Sequence, residues 1–177
     1  MAAINQETVQ EYVNAGANGA TTAEQGRALE DMICYIFTQM PGISITKRNE
    51  MNVFQTEEID VALWNDGHHE GLFFLPNIIL VECKNWSSSV GSAEVNWFDS
   101  KLRNRGLNFG LLVATNGITG NPEDLTAAHS IVAAALREER RLVVIRTQEL
   151  LTLTNSLQLV HLIKEKLCDL AVRGTVV

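Results

Sequence analysis

The sequence reads as one α/β domain, a central mixed β-sheet of about five strands flanked by helices. Three observations lead there. Short apolar or alternating runs at residues 43–54, 58–64, 78–84, 109–115 and 141–146 have the length and composition of strands. Around them lie longer stretches with apolar residues at helical spacing. The run Phe109-Gly110-Leu111-Leu112-Val113-Ala114-Thr115 is apolar throughout, as expected of a strand covered on both faces and reached by a crossover.

Residues 5–14 are weakly helical, and Ala15-Gly16-Ala17-Asn18-Gly19-Ala20 is expected to break the pattern. Thr21 or Thr22 is the expected N-cap of a helix over residues 22–40, with Leu29, Ile33, Ile36, Phe37 and Met40 as its buried stripe. Pro41-Gly42 ends it. The first strand, residues 43–54, is expected to bend before Met51. In the second, Ile59, Val61 and Leu63 alternate with Glu58, Asp60 and Ala62, the pattern of a half-buried strand. Residues 65–71 are its polar connection, and Leu72-Phe73-Phe74-Leu75 either extends the outgoing strand or covers one end of it. The third strand, from Ile78, lies between Pro76 and Ser87-Ser88-Ser89. Ser92 is the expected cap of a helix to about residue 104, with Val95, Phe98 and Leu102 inside and Gly106 stopping it. A helix from residue 124 to about 138, the strand 141–146 and a last helix over 150–171, interrupted near Thr154-Asn155, complete the chain.

A chain of 177 residues, 46% hydrophobic, is enough for one well-packed domain. Its first residues lack the basic and apolar regions of a secretion signal, and no stretch reaches the roughly 18 apolar residues of a membrane span, so a cytoplasmic protein without a membrane partner is expected. The three cysteines, Cys34, Cys83 and Cys168, are odd in number and scattered, which fits neither a disulfide framework nor a zinc site. His68-His69 in a polar turn is expected to be solvated. A net charge of −7 opposes approach to a polyanion. Against it stands Lys101-Leu102-Arg103-Asn104-Arg105, whose Lys101, Arg103 and Arg105 are the expected contacts to a nucleic-acid backbone, or else cations that complement the end of their own helix. Such a chain is expected to bind nucleic acid weakly alone, with a homodimer or a partner subunit bringing the substrate in.

The chemistry concentrates in the second and third strands. Ile78-Ile79-Leu80-Val81-Glu82-Cys83-Lys84 ends an apolar run in charge, and strand alternation puts Glu82 and Lys84 on one face. For a lone Glu-x-Lys, a structural ion pair is the commoner origin. Asp60 adds to it, because Asp is a poor strand former and its place in mid-strand calls for an external reason. Asp60, then Glu82-Cys83-Lys84 at the end of the next apolar strand, resembles the PD-(D/E)xK nucleases and, within them, the Mrr-type (type IV) restriction endonucleases.

The resemblance implies a restriction-endonuclease-like core over about residues 22–153, within a single domain of residues 1–177 whose last helix runs to about 171. It implies DNA as the substrate and a role in defence against foreign DNA. Asp60 and Glu82, with the Cys83 carbonyl, are the implied ligands of Mg²⁺, or of Mn²⁺ in its place, since hard cations take oxygen ligands. Lys84 is the implied catalytic lysine, orienting or helping to deprotonate the attacking water and offsetting phosphoryl charge. Gly26-Arg27-Ala28-Leu29-Glu30 is similar to a helical motif that places a glutamate at the active site in many relatives, which makes Glu30 a further catalytic candidate; a rim glutamate paired with Arg27 is the other reading. Glu94 and Asp99 lie where some relatives have a polar site residue, although an acid on an amphipathic helix is usually solvated. Ile59 stands where the motif's name has Pro, and Glu82 where many Mrr-type members have Gln. A non-catalytic binding module and a structural protein with a buried ion pair are the other classes the sequence leaves open.

Overall fold

The computed structural model describes residues 2–123 and 125–175. Five strands form one sheet in the order β1 (Ile43–Met51), β2 (Glu58–Asn65), β3 (Ile78–Lys84), β4 (Phe109–Ala114), β5 (Arg141–Arg146). β1, β2 and β3 pair antiparallel, and β3, β4 and β5 pair parallel. The sheet is therefore mixed, with its parallel half built by crossovers. Those crossovers are helical: α3 (Ser92–Asn104) joins β3 to β4 and α4 (Ala128–Arg137) joins β4 to β5.

Side-chain alternation sorts the core into two layers. Val61, Leu63, Ile79, Val81, Cys83, Leu111, Val113 and Ile145 face α2 (Thr22–Thr38) and α6 (Ser156–Arg173), which contribute Leu29, Ile33, Ile36, Phe37, Leu159 and Ile163. On the other side Leu80, Leu112 and Val144 meet Val95, Phe98 and Leu102 of α3 and Val132 of α4. Burying an aliphatic side chain of this size contributes about 1.5–3 kcal/mol, so both faces hold the sheet. β4 is buried at every position, as its uninterrupted apolar run requires.

The helix over 22–40 is capped as its sequence suggests. Thr21 Oγ1 accepts from the Glu24 N–H at 3.2 Å, and Glu24 Oε2 accepts from the Thr21 N–H at 3.1 Å, a reciprocal capping box. Several boundaries differ from expectation. The first helix, α1 (Gln6–Asn18), runs through the alanine-glycine stretch expected to break it. Here the Asn85 amide donates to the Gly16 carbonyl at 3.2 Å and to the Gln25 carbonyl at 2.8 Å, so tertiary contact overrides weak propensity. The cap of α3 is Gly91 rather than Ser92, with no side-chain bond. α4 starts four residues after the expected 124, a position that lies outside the described residues. Asn121 Oδ1 accepts from the Glu123 N–H at 2.8 Å, and positive φ at Leu125 (51°) and Ala127 (49°) keeps that segment out of the helix. β1 stops at Met51, where the Asn52 N–H donates to the Glu57 carbonyl at 2.9 Å and closes the hairpin. Leu72-Phe73-Phe74-Leu75 forms turns and no strand, stapled by Asn65 Nδ2, which donates to the carbonyls of Leu72 at 2.9 Å and Leu75 at 3.2 Å. The expected interruption near Thr154-Asn155 separates α5 (Thr147–Leu150), which starts before the expected residue 150, from α6, whose N-cap Asn155 accepts from the Gln158 N–H at 3.1 Å.

Candidate active site

The β2–β3 ladder runs from Trp64 opposite Ile78 to Val61 opposite Val81 and then stops. Beyond it stand Asp60 on one strand and Glu82, Cys83 and Lys84 on the other. Asp60 supplies the bond that the ladder no longer does: its Oδ2 accepts from the Cys83 N–H at 2.7 Å. The N–H and C=O of one strand residue project to the same edge, and those of the next residue to the opposite edge. The Lys84 carbonyl accepts from the Thr115 N–H at 3.1 Å, toward β4. Alternation therefore turns the Cys83 carbonyl toward β2, into the gap beside Asp60.

Glu82 is 3% exposed and takes two ammonium groups. Its Oε1 lies 3.0 Å from Lys84 Nζ, and its Oε2 accepts from Lys101 Nζ at 2.7 Å. The Lys84 ammonium also stands 5.8 Å from the centroid of the Trp86 ring. Burial, and then the Glu82 charge, push the Asp60 carboxyl up to about 6, against the Cys83 N–H and the two lysines, which favour its ionised form. Burial works against the Lys84 ammonium, but the Glu82 charge and hydrogen bond outweigh it, and its pKa is raised. Lys84 therefore stays protonated at neutral pH. The Cys83 thiol is pushed well up, by burial first and then by Asp60, Glu30 and Glu82, so it behaves as an inert core side chain.

The structure thus gathers Asp60, Glu82, Lys84 and the Cys83 backbone at one end of the sheet. Glu30 is set behind them. Its carboxylate accepts from Asn49 Nδ2 at 2.9 Å and from Arg48 Nη2 at 3.5 Å, both on β1, and its charge acts on the Cys83 thiol from the α2 face. Its ion-pair partner is Arg48 rather than Arg27.

The expected patch of Lys101, Arg103 and Arg105 does not form. Lys101 is 3% exposed and points inward to Glu82, so its ammonium is out of reach of a phosphate backbone. Arg105 is ion-paired with Glu57, whose other oxygen accepts from Asn104 Nδ2 at 2.9 Å. Arg103 remains exposed, 3.6 Å from Asp99. Charge counting along the sequence missed the inward turn of Lys101. The helical spacing held a signal: Lys101 directly precedes the core residue Leu102 and follows Phe98 by three, on the flank of the stripe that packs on β3. Asp99, expected in solvent, is 5% exposed and grips Arg140 through two bonds, at 2.7 and 3.0 Å. Glu94 acts on Lys84 through its charge.

A mixed sheet that brings an Asp from a hairpin strand beside a Glu-x-Lys on the central strand is the arrangement of the PD-(D/E)xK class. The family model described as a restriction endonuclease, of the Mrr catalytic type, matches residues 21–153, and the chain belongs to that family. No curated protein matches the chain.

Such a family implies a divalent cation, and the donors present fit a hard one. Asp60 Oδ1 has no hydrogen-bond donor among the described residues, and the charge beside it opposes its ionisation, which a cation would relieve. Each carboxylate oxygen carries two lone-pair sites, so the lysine contacts do not exhaust Glu82. No cluster of three His, Cys, Asp or Glu forms among the described residues. Two carboxylates and one carbonyl leave several positions to water and substrate, which suits Mg²⁺ better than Zn²⁺.

Proposed function

We propose that the chain is a Mg²⁺-dependent endonuclease that hydrolyses DNA phosphodiester bonds, with Mn²⁺ able to substitute, and that it serves in cytoplasmic defence against foreign DNA. The observation that carries this reading is the meeting of Asp60, Glu82 and Lys84 where the β2–β3 ladder ends. Asp60, Glu82 and the Cys83 carbonyl are the residues that would hold the cation. When bound, a cation there supplies a Lewis acid toward the phosphate and lowers the pKa of a bound water. Lys84, ion-paired with Glu82, orients the attacking water and offsets charge on the phosphoryl oxygens. Lys101 holds Glu82 from below and fixes its rotamer. Glu30 acts through β1, keeping Arg48 and Asn49 in place behind Cys83. A second copy or a partner subunit adds the cations that this surface lacks.

A non-catalytic binding module on the same fold is the second reading, favoured by the ion pairs on both oxygens of Glu82. Circular single-stranded DNA and supercoiled plasmid, each incubated with Mg²⁺, Mn²⁺, Ca²⁺ or EDTA, separate the two. The nuclease cuts in Mg²⁺ and Mn²⁺ and is silent in EDTA. Lys84→Ala then abolishes cleavage while Mg²⁺ binding persists, and Asp60→Ala removes both. No cutting in any metal, or Lys84→Ala cutting as fast as the parent, rejects the catalytic assignment.

A further inference from the structure

Fourteen Lys and Arg against 21 Asp and Glu leave the chain poor in cations for a polyanion. The fold removes several more: Arg48, Lys101, Arg105 and Arg140 are all committed to carboxylates. Neutralising phosphates supplies most non-specific affinity for duplex DNA. A site with so few free cations needs another source of binding.

Two tryptophans stand beside it. Trp86 follows Lys84 by two residues, just past the end of β3, with the Lys84 ammonium 5.8 Å from its ring centroid, and is 40% exposed. Its backbone is fixed. The Trp86 carbonyl accepts from Asn116 Nδ2 at 2.6 Å, and the preceding Asn85 side chain bonds the Gly16 and Gln25 carbonyls and accepts from Thr115 Oγ1 at 2.8 Å. Trp97 lies on α3 three residues after Glu94 and four before Lys101, which places all three on one flank of the helix. That flank faces the site, since Lys101 bonds Glu82 and the Glu94 charge acts on Lys84. Trp97 is 46% exposed. Two partly exposed indole rings beside one site offer faces on which bases can stack. The remaining tryptophan, Trp64, lies toward the other end of β2, its Nε1 donating to Asp66 at 2.8 Å.

We propose that Trp86 and Trp97 are stacking platforms for unpaired bases on either side of the scissile phosphate, so that the substrate is single-stranded DNA or a single-stranded segment of a larger DNA. The inference rests on the nuclease reading for the place of the phosphate. In an intact duplex the base faces are covered by their neighbours, whereas every unpaired base offers one to an aromatic ring whatever its identity. Stacking is also insensitive to the shortage of free cations, because it neutralises no phosphate.

The test is quenching of tryptophan fluorescence in Ca²⁺ by oligo(dT) of about 15 nucleotides and by a duplex of the same length, a span near the site size of single-strand binders. Single strand is expected to quench strongly and to bind about tenfold or more tighter than duplex. Trp86→Ala and Trp97→Ala, followed by fluorescence anisotropy of labelled DNA, each weaken single-strand binding about tenfold, while Trp86→Phe, which keeps a ring, retains most of it. Melting curves of the variants confirm that they fold. Duplex bound as tightly as single strand, or alanine variants that fold and bind single strand like the parent, overturns the proposal. Single-strand preference without cleavage in Mg²⁺ keeps the stacking platforms and removes the nuclease reading. Cleavage in Mg²⁺ with both alanine variants unimpaired in binding does the reverse.

Discussion

Glu82 is buried between two ammonium groups, and the Lys101 side chain that grips it is 4% exposed. Removing Lys101 leaves Glu82 paired with Lys84 but one buried oxygen without its donor, which costs about 1–3 kcal/mol. Lys101→Met is therefore expected to lower stability by about that amount in urea unfolding, and Glu82→Gln in the same chain to recover much of it. Strict additivity of the two would show that Lys101 does not act on Glu82. Asp60 works in the opposite direction, since burial and Glu82 raise its pKa from 3.8 to about 6. A raised carboxyl opposes folding only once it ionises: the penalty is absent below about pH 4, grows to about pH 6 and is constant above, reaching about 3 kcal/mol. The stability of Asp60→Asn relative to the parent should accordingly rise by up to about 3 kcal/mol between pH 4 and pH 7, and Mg²⁺ should narrow the gap. A gap that does not change with pH would mean that Asp60 is not strained by its charge.

At the scale of elements, the site depends on how closely α3 lies on the sheet. A Cβ placed on Gly110 of β4 would come within 2.7 Å of both Leu102 Cδ1 and Phe98 Cζ. Leu102 is the residue after Lys101, so a helix pushed off β4 withdraws the Lys101 ammonium from Glu82. Gly110→Ala is expected to destabilise by about 1–3 kcal/mol in chemical denaturation, through overpacking. Unchanged stability would show that α3 has room to move. Strand assignment was legible in the sequence because β2 alternates cleanly and β4 is apolar throughout. The start of α4 was not, because the competing turn at Asn121 and the positive φ at Leu125 and Ala127 are set by the loop and leave no periodic trace. The continuation of α1 past Ala15 depended on Asn85, a residue 69 positions distant from Gly16.

At the scale of the whole molecule, the mixed sheet converts two separated sequence signals into one site. Asp60 and Glu82-Cys83-Lys84 were readable because each breaks the expectation for a strand, one by a poor strand former and the other by charge at an apolar end. Lys101 was not readable as their companion, because a lysine near a helix end looks the same in sequence whether it faces water or a buried carboxylate. No described helix is long and apolar enough to cross a membrane. The proposed function requires Asp60 and Glu82 to share one cation. A crystal grown or soaked with Mn²⁺ and measured for its anomalous signal tests it most directly. A single strong peak is expected in contact with Asp60 Oδ1, a Glu82 oxygen and the Cys83 carbonyl, with Lys101 still on Glu82 and the peak absent in Asp60→Ala. Saturating Mn²⁺ that leaves that gap without a peak, or places its peak away from Asp60 and Glu82, would contradict the account.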